Sequence, residues 1–161
     1  MRYNRIKTCD TQNTNGLCVS LWLQGCPHRC EGCWNPETWD YNSGIFFGER
    51  EVEYILDQLI YNQHLAILGG EPLIERNLQP LLELCKIVKA TRPYSEVWLW
   101  TGYKYDEVKH LELLNYVDYL IDGKFDIDKK VDYRITKIEA DKYRGSSNQN
   151  IINLKKEREG L

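Results

Sequence analysis

The chain has 161 residues, 28% of them charged, and a formal net charge of −3 at pH 7. We expect one domain over residues 1–161, because a complete eight-stranded α/β barrel takes about 250 residues. The mild acidity argues against nucleic acid as a partner, since proteins that bind it carry a basic face. No run of about 18 apolar residues is present and the N-terminus leads into no apolar stretch, so we expect a cytoplasmic protein without a membrane segment.

The first 47 residues are predicted to contain one strand. Residues 1–16 have few apolar side chains and are predicted to form an extended arm that ends in a turn. Residues 17–23 alternate, with the leucines and Val19 on one face and Trp22 on the other, which predicts a strand. The stretch that follows, through Phe47, is predicted to be a long loop, and loops of more than about 15 residues are usually functional.

From Glu51 onward, helical and strand patterns alternate. The predicted elements are a helix from Glu51, a strand at 65–68, a helix over 78–88, a strand at 97–100, a helix over 106–114 and a strand at 117–121. This order predicts right-handed βαβ units, a mainly parallel sheet and, at this length, a partial and open βα barrel. Residues 131–135 suggest one more strand, and the last eight residues are predicted to be a solvated tail.

The long loop carries three cysteines, Cys26, Cys30 and Cys33, in a Cys-x3-Cys-x2-Cys array. Three thiols at this spacing can hold three corners of a cubic iron–sulfur cluster and leave one iron without a protein ligand, open for chemistry. The alternative is a zinc site completed by His28, but the spacing differs from paired Cys-x2-Cys knuckles and no second pair follows. A disulfide framework is disfavoured, because no signal peptide precedes the cysteines.

A second candidate element, Gly69-Gly70-Glu71-Pro72, follows the predicted strand at 65–68. Two glycines let the backbone approach a ligand closely, and the carboxylate of Glu71 can accept hydrogen bonds from an ammonium group. Taken alone, the string is an ordinary β-to-α turn. Ligands of parallel sheets lie beyond the carboxyl ends of the strands, so we expect this turn, the cysteine loop and Thr101-Gly102 on one rim.

The cysteine array and the glycine turn together resemble the radical S-adenosylmethionine (SAM) superfamily. The resemblance implies that Cys26, Cys30 and Cys33 hold a [4Fe-4S] cluster and that SAM binds the fourth iron. It also implies that Trp34 lies against the adenine, where many members carry tyrosine. The residues expected to contact SAM are Gly32, Cys33, Trp34, Gly70 and Glu71. On this basis Gly70→Val is expected to weaken SAM binding without removing iron.

Four further strings narrow the resemblance: Asn35-x3-Trp39, Trp100-Thr101-Gly102-Tyr103, Asp122-Gly123-Lys124-Phe125 and the stretch 144–149. With the chain length, they are similar to the activating components of anaerobic (class III) ribonucleotide reductases. The resemblance implies an oxidoreductase that cleaves SAM reductively, with electrons from a donor such as flavodoxin. It implies that the product radical generates a glycyl radical on the large subunit of the anaerobic ribonucleoside-triphosphate reductase.

Three alternatives stay open at this point. The chain could activate another glycyl-radical enzyme, or it could act on a small pterin or deazapurine precursor by the same radical chemistry. A non-enzymatic zinc-binding module is the alternative from a different class. A partial barrel leaves one side of its chamber open, and a macromolecular substrate can cover that side and protect a radical from solvent.

Overall fold

A computed structural model describes residues 1–160, which form one seven-stranded sheet flanked by helices. The strands are β1 (Arg2–Asp10), β2 (Cys18–Leu23), β3 (Ile45–Phe46), β4 (His64–Gly69), β5 (Glu96–Trp100), β6 (Tyr119–Asp122) and β7 (Asn150–Asn153). The α-helices are α1 (Glu49–Gln58), α2 (Glu75–Thr91), α3 (Tyr105–Val108), α4 (Tyr133–Thr136) and α5 (Leu154–Arg158). Short 3-10 turns lie at Pro36–Thr38, Glu112–Tyr116, Ile127–Lys129 and Glu139–Lys142.

The sheet has a parallel centre and antiparallel margins. Its strand order is β3-β1-β2-β4-β5-β6-β7, and β2, β4, β5 and β6 pair in parallel. At the margins β1 pairs antiparallel with β2 and β3, and β7 pairs antiparallel with β6. The prediction of a mainly parallel sheet is therefore right for the centre and wrong for the margins. The sheet is open, with β3 and β7 as its edge strands.

One face of the sheet packs against helices, and the other face borders a cavity. On one face, buried side chains such as Leu21, Ile67 and Leu99 pack with Ile55 of α1 and Leu84 of α2 to form the apolar core. Burial of such side chains supplies most of the favourable free energy of folding. The other face carries aromatic residues at alternate positions, and two of them, Trp22 and Trp100, line a cavity. No helix within residues 1–160 is long and apolar enough to cross a membrane.

Three predicted elements differ from the structure in the first and middle parts of the chain. Most of the predicted arm is strand β1, in which Arg5 and Lys7 occupy exposed positions. Because β1 has few apolar residues, its sequence does not show the apolar alternation of a strand. The predicted helix over 106–114 is broken into α3 and a 3-10 turn, which lets Leu113 and Leu114 both reach the core. The strand suggested at 131–135 is wrong, because the Asp132 side chain accepts a hydrogen bond from Arg134 N and starts α4.

The predicted solvated tail, the last eight residues, is exposed over 155–160 but contains a short helix, and Leu161 lies outside the described residues. Strand β7 leads into α5, whose first turn is capped by the Asn153 side chain accepting from Lys156 N at 2.9 Å. Leu154 is buried in the core. The Arg158 guanidinium donates to the backbone carbonyls of Leu114 and Val117, at 3.2 and 2.7 Å. Helix α5 therefore closes the β6 side of the core.

We expect Leu154→Ala to lower the free energy of unfolding by about 2–4 kcal/mol, because the substitution leaves a cavity under α5. The matched control is Lys155→Ala on the exposed side of the same helix, for which no comparable loss is expected. Urea denaturation of the metal-free protein under anaerobic, reducing conditions measures both values. Equal midpoints for the two variants would mean that α5 contributes nothing to the fold.

Candidate functional site

The cysteine loop begins where β2 ends. Gly25 has φ of 100°, a conformation that favours glycine, and it turns the chain sharply away from the strand. The loop is closed by backbone hydrogen bonds from Gly25 N to Thr38 O at 2.7 Å and from Cys26 N to Trp39 O at 3.2 Å. The Asn35-x3-Trp39 string therefore forms the base on which the cysteine loop rests.

The predicted ligands Cys26, Cys30 and Cys33 all line one cavity of about 610 Å³. This volume lies within the usual range for ligand sites, about 300–1,000 Å³. Cys33 Sγ accepts a hydrogen bond from Asn35 N at 3.4 Å. The backbone N–H groups of His28 and Arg29 lower the pKa of Cys26, and that of Phe125 lowers the pKa of Cys30, in each case against the larger effect of burial. Such donors stabilise sulfur ligands of an iron–sulfur cluster.

Burial dominates the acid–base behaviour of these thiols. It raises the pKa of Cys26 to about 11 and also raises the pKa of Cys30. In the metal-free protein both side chains are therefore protonated at neutral pH, and metal binding releases their protons. Three cysteines that line one cavity fit an iron–sulfur cluster as the occupant.

In the structure His28 pairs with a carboxylate, whereas the zinc alternative required it as a metal ligand. Its Nε2 lies 2.7 Å from Glu71 Oε2, and its ring packs edge-on against Tyr103 at a centroid distance of 4.7 Å. The side chain that would complete a zinc tetrahedron is thus held by a carboxylate. Within residues 1–160, no three His, Cys, Asp or Glu side chains converge closely enough to hold a single metal ion.

Glu71 is almost wholly buried, and its carboxylate is fully occupied. Oε1 accepts from the Thr101 hydroxyl at 2.7 Å and from Leu73 N at 2.9 Å. Oε2 accepts from Gly102 N at 2.7 Å and pairs with His28. A carboxylate has about four lone-pair sites, and four partners take them. The carboxylate therefore faces the cysteine loop and the end of β5, and its contact with the SAM ammonium stays a prediction.

Gly70 lies beneath the cysteine loop. A Cβ atom at this position would be 2.4 Å from Gly25 O and 3.0 Å from Thr38 O, and Glu71 N donates to Gly25 O at 2.8 Å. The absence of a side chain is thus required by the contact between two loops. Gly70 also lines the cavity, and its contact with SAM stays a prediction. The expectation that Gly70→Val spares the iron conflicts with this packing.

The two remaining predicted SAM contacts lie against the connection between β6 and β7, residues 124–149, here called the crossover segment. Gly32 has φ of 71°, and a Cβ there would meet Ile127 Cδ1 at 2.7 Å, so its open face is covered by the crossover segment. Trp34 is 64% exposed and lines the cavity, with the Phe125 ring 6.5 Å away and Lys130 Nζ 4.8 Å from its ring centroid. An exposed indole face at the cavity mouth suits stacking on a flat ligand.

The crossover segment covers the cavity on the side opposite the sheet. Trp100 Nε1 donates to Tyr143 O at 2.8 Å, which holds the segment against the end of β5. Gln149 Oε1 accepts from the backbone N–H groups of Gly145 and Ser146, and its Nε2 donates to Gly123 O. The strings at 122–125 and 144–149 are therefore the two ends of one structured turn.

Sequence reasoning missed three residues of the cavity wall. Trp22 and Trp100 line the cavity from β2 and β5, and Lys124 lines it next to Cys30. The signal for Trp22 was present in the alternation of residues 17–23, which placed it opposite the leucines. Lys124 directly follows Asp122-Gly123 at the end of β6, the position at which a parallel strand presents residues to a ligand.

Comparison with known proteins decides the family. The profile of the 4Fe-4S single cluster domain family matches residues 12–152. The anaerobic ribonucleoside-triphosphate reductase-activating protein of Enterobacteria phage T4 is 43% identical over 128 residues, which cover 78% of this chain and 82% of that protein. Proteins with the same name from Haemophilus influenzae and Pasteurella multocida are 35% and 38% identical, covering 96% and 92% of this chain and 99% and 95% of their own lengths. The chain belongs to the anaerobic ribonucleoside-triphosphate reductase-activating proteins.

Membership of the activating-protein family confirms the resemblance seen in the sequence, and the 4Fe-4S domain supports an iron–sulfur cluster as cofactor. The matched range, residues 12–152, includes the cysteine loop, Gly70, Glu71 and the crossover segment. It also includes the first three residues of β7, the strand that follows the crossover segment and pairs with β6.

We expect Cys26→Ala, Cys30→Ala and Cys33→Ala each to abolish the cluster and SAM cleavage, because each removes one of three ligands. Iron and sulfide analysis and the broad visible absorbance of anaerobically prepared protein measure the loss. Cys9→Ala at an exposed site and Cys85→Ala in the core serve as controls that keep both properties. A stable cluster with normal turnover in any of the three loop variants would refute the ligand assignment.

The packing at Gly70 gives a revised expectation for its substitution. Gly70→Val should lower the iron content of reconstituted protein as well as its SAM affinity, because the side chain would displace Gly25 and with it the start of the cysteine loop. Gly48→Ala is the comparison, since a Cβ there meets its nearest neighbour at 3.3 Å, a flexible Phe46 side chain. Normal iron content with weakened SAM binding would instead favour direct contact between Gly70 and SAM.

Proposed function

We propose that this protein is a radical SAM enzyme that activates the anaerobic ribonucleoside-triphosphate reductase. The observation that carries the proposal is the placement of Cys26, Cys30 and Cys33 on one cavity wall at the carboxyl rim of parallel strands, in a chain whose relatives bear that name. When bound, a reduced [4Fe-4S] cluster supplies one electron to SAM, releasing methionine and a 5′-deoxyadenosyl radical that takes a hydrogen atom from a glycine of the reductase.

The open sheet supports a partial barrel of the radical SAM type. Strands β2, β4, β5 and β6 end at one rim, where the cysteine loop, the glycine turn and Thr101-Gly102 meet. In this proposal Cys26, Cys30 and Cys33 hold the cluster. The backbone of the loop at Gly32 and Cys33, the Trp34 indole and the backbone at Gly70 and Glu71 orient SAM. Lys124 adds a cation to the same wall, suited to a carboxylate of the ligand.

The protein's own contribution is to bind, orient and keep water away. Trp22 and Trp100 form an aromatic wall behind the cysteine loop, and Tyr143 of the crossover segment covers it from the other side. Excluding water strengthens the electrostatic contacts within the cavity and protects a reactive radical from side reactions. These residues supply the surroundings, while the bound cofactors supply the chemistry.

A wide outer groove supports a macromolecular substrate over a small molecule. The groove has a volume of about 1150 Å³ and shares Trp34, Lys142 and Tyr143 with the site cavity. Residues of the β1–β2 turn, among them Thr14, line its far side. Its volume exceeds the usual range for small-molecule pockets, about 300–1,000 Å³. A segment of the reductase can therefore pass along the groove to reach the cavity.

An external electron donor such as flavodoxin, in the cytoplasm, is part of the proposal. Three of the six cysteines line the cavity. Of the others, Cys9 is exposed, whereas Cys18 and Cys85 are buried, and burial raises the pKa of Cys85 to about 12. Buried thiols such as those of Cys18 and Cys85 are inert and have a structural role. The proposal therefore places one cluster in this chain and its reductant on another protein.

The test is to add the separately purified reductase to reconstituted, anaerobic protein with SAM and a chemical reductant, and to record the EPR spectrum. We expect a glycyl doublet, together with one 5′-deoxyadenosine for each radical formed. Reductase with its radical-bearing glycine replaced by alanine is the control and should give no doublet. Rapid SAM cleavage with a small substrate and no doublet would favour the small-molecule alternative, and colourless protein with one zinc would favour the zinc module.

A further inference from the structure

His28 is a residue of the cysteine loop whose side chain pairs with the Glu71 carboxylate. It lies between Cys26 and Cys30 in the sequence, and its side chain is 7% exposed. Its Nε2 lies 2.7 Å from Glu71 Oε2, and an ionised carboxylate only accepts hydrogen bonds, so Nε2 carries the hydrogen and donates it. A residue 43 positions further along the chain thus holds the middle of the cysteine loop.

The same carboxylate is attached to two other parts of the rim. It accepts from Leu73 N in the β4–α2 connection, and from Gly102 N and the Thr101 hydroxyl at the end of β5. Burial of a carboxylate is costly unless all its lone pairs are used, and charge-assisted hydrogen bonds are roughly twice as strong as neutral ones. Glu71 therefore fixes the relative positions of the cysteine loop, the glycine turn and β5.

Steric contact supports the same link from the β5 side. A Cβ atom at Gly102 would meet His28 Cδ2 at 2.4 Å and Nε2 at 2.5 Å. The imidazole therefore lies directly on the Gly102 backbone, with Tyr103 against its edge. An alanine at Gly102 would displace the ring without changing any charge, which gives a second and independent way to break the link.

We propose that His28 and Glu71 form a positioning pair, which holds the Cys26–Cys30 half of the cysteine loop in register with the SAM-binding ends of β4 and β5. Neither side chain is assigned a contact with the reacting atoms. The inference rests on the proposed function, because it assigns the effect of the pair to the alignment of cluster and SAM. It also gives a role to the Thr101-Gly102 string, which the proposed reaction does not otherwise use.

The chain contains a matched control pair. His64 and Glu96 are register partners on β4 and β5, with His64 Nδ1 3.7 Å from Glu96 Oε2. They lie at the starts of the same two strands, at the end opposite the site, and neither lines the cavity. Here Glu96 Oε2 has no hydrogen-bond partner within residues 1–160, and His64 Nδ1 accepts from Glu96 N at 3.4 Å. Glu96→Gln therefore makes the same substitution at a half-buried glutamate beside a histidine without touching the cysteine loop.

The first measurement uses metal-free protein and needs no activity. We expect Glu71→Gln and Gly102→Ala to speed hydrogen–deuterium exchange of the amides at 26–33 by about tenfold, the loss expected for one hydrogen bond to a charged group. Exchange in α2 should stay as in the wild type. Glu96→Gln should leave exchange at 26–33 unchanged. Unaltered exchange at 26–33 in both site variants would overturn the proposal.

The second measurement uses reconstituted protein. Both site variants should retain iron and sulfide, because all three cysteines are present, but should show a smaller SAM-induced change in the EPR spectrum of the reduced cluster. The KM for SAM should rise about tenfold. An effect of Glu71→Gln alone, with Gly102→Ala behaving as wild type, would overturn the proposal and favour direct contact between Glu71 and SAM.

The two proposals fail in distinguishable ways. If wild-type protein did not cleave SAM, the proposed function would be wrong, whereas exchange at 26–33 would still report whether His28 and Glu71 hold the loop. If wild-type protein cleaved SAM and both site variants matched it in exchange, EPR and KM, the positioning pair alone would be wrong. Should Glu71→Gln fail to fold by circular dichroism, Gly102→Ala decides by the same readouts.

Discussion

The close contact between Gly25 and Gly70 is the constraint on which the site depends. The carbonyl oxygen of Gly25 occupies the space that a side chain at Gly70 would need, and it accepts a hydrogen bond from Glu71 N. Two loops that leave neighbouring parallel strands, β2 and β4, are thereby held together by their backbones. Because Cys26 follows Gly25 directly, this contact sets where the cysteine loop begins. The sequence suggested that the glycine turn binds SAM, but in the structure the turn also packs against the loop that carries the three cysteines.

The cavity also depends on an unusual use of the sheet. An α/β sheet usually has helices on both faces, but here α1 and α2 cover one face, and the crossover segment lies over the other. Trp98 stacks on Tyr119 at 4.3 Å and contacts Tyr143 at 5.0 Å, so aromatic rings fill the space beside the cavity. An irregular cover leaves a hollow where a regular helix would have filled it. The open sheet is therefore compatible with both a packed core and a large cavity.

Periodicity predicted the centre of the fold and failed at its margins, for a physical reason. Strands β4 and β5 are buried on both faces and helices α1 and α2 present one apolar side, so their patterns are strong. Strand β1 alternates with charged residues, and β7 has four residues between polar segments. Their stability comes from pairing with β2 and β6, which residues distant in sequence provide. Local patterns do not contain that information.

In the candidate site, too, features set by nearby residues were predictable and those set by distant residues were not. Cys26, Cys30 and Cys33 are close in sequence, so their spacing alone predicted a shared ligand. The motif predicted that Glu71 belongs to the site, but the sequence did not predict its hydrogen-bond partners. His28 and Gly102 come close to Glu71 only when β2, β4 and β5 align in the sheet. Its carboxylate suits an ammonium ligand as well as it suits an imidazole and backbone amides, so chemistry alone could not choose between them. Only the folded arrangement supplies the missing information, because it encloses the carboxylate among four donors from three separate parts of the chain.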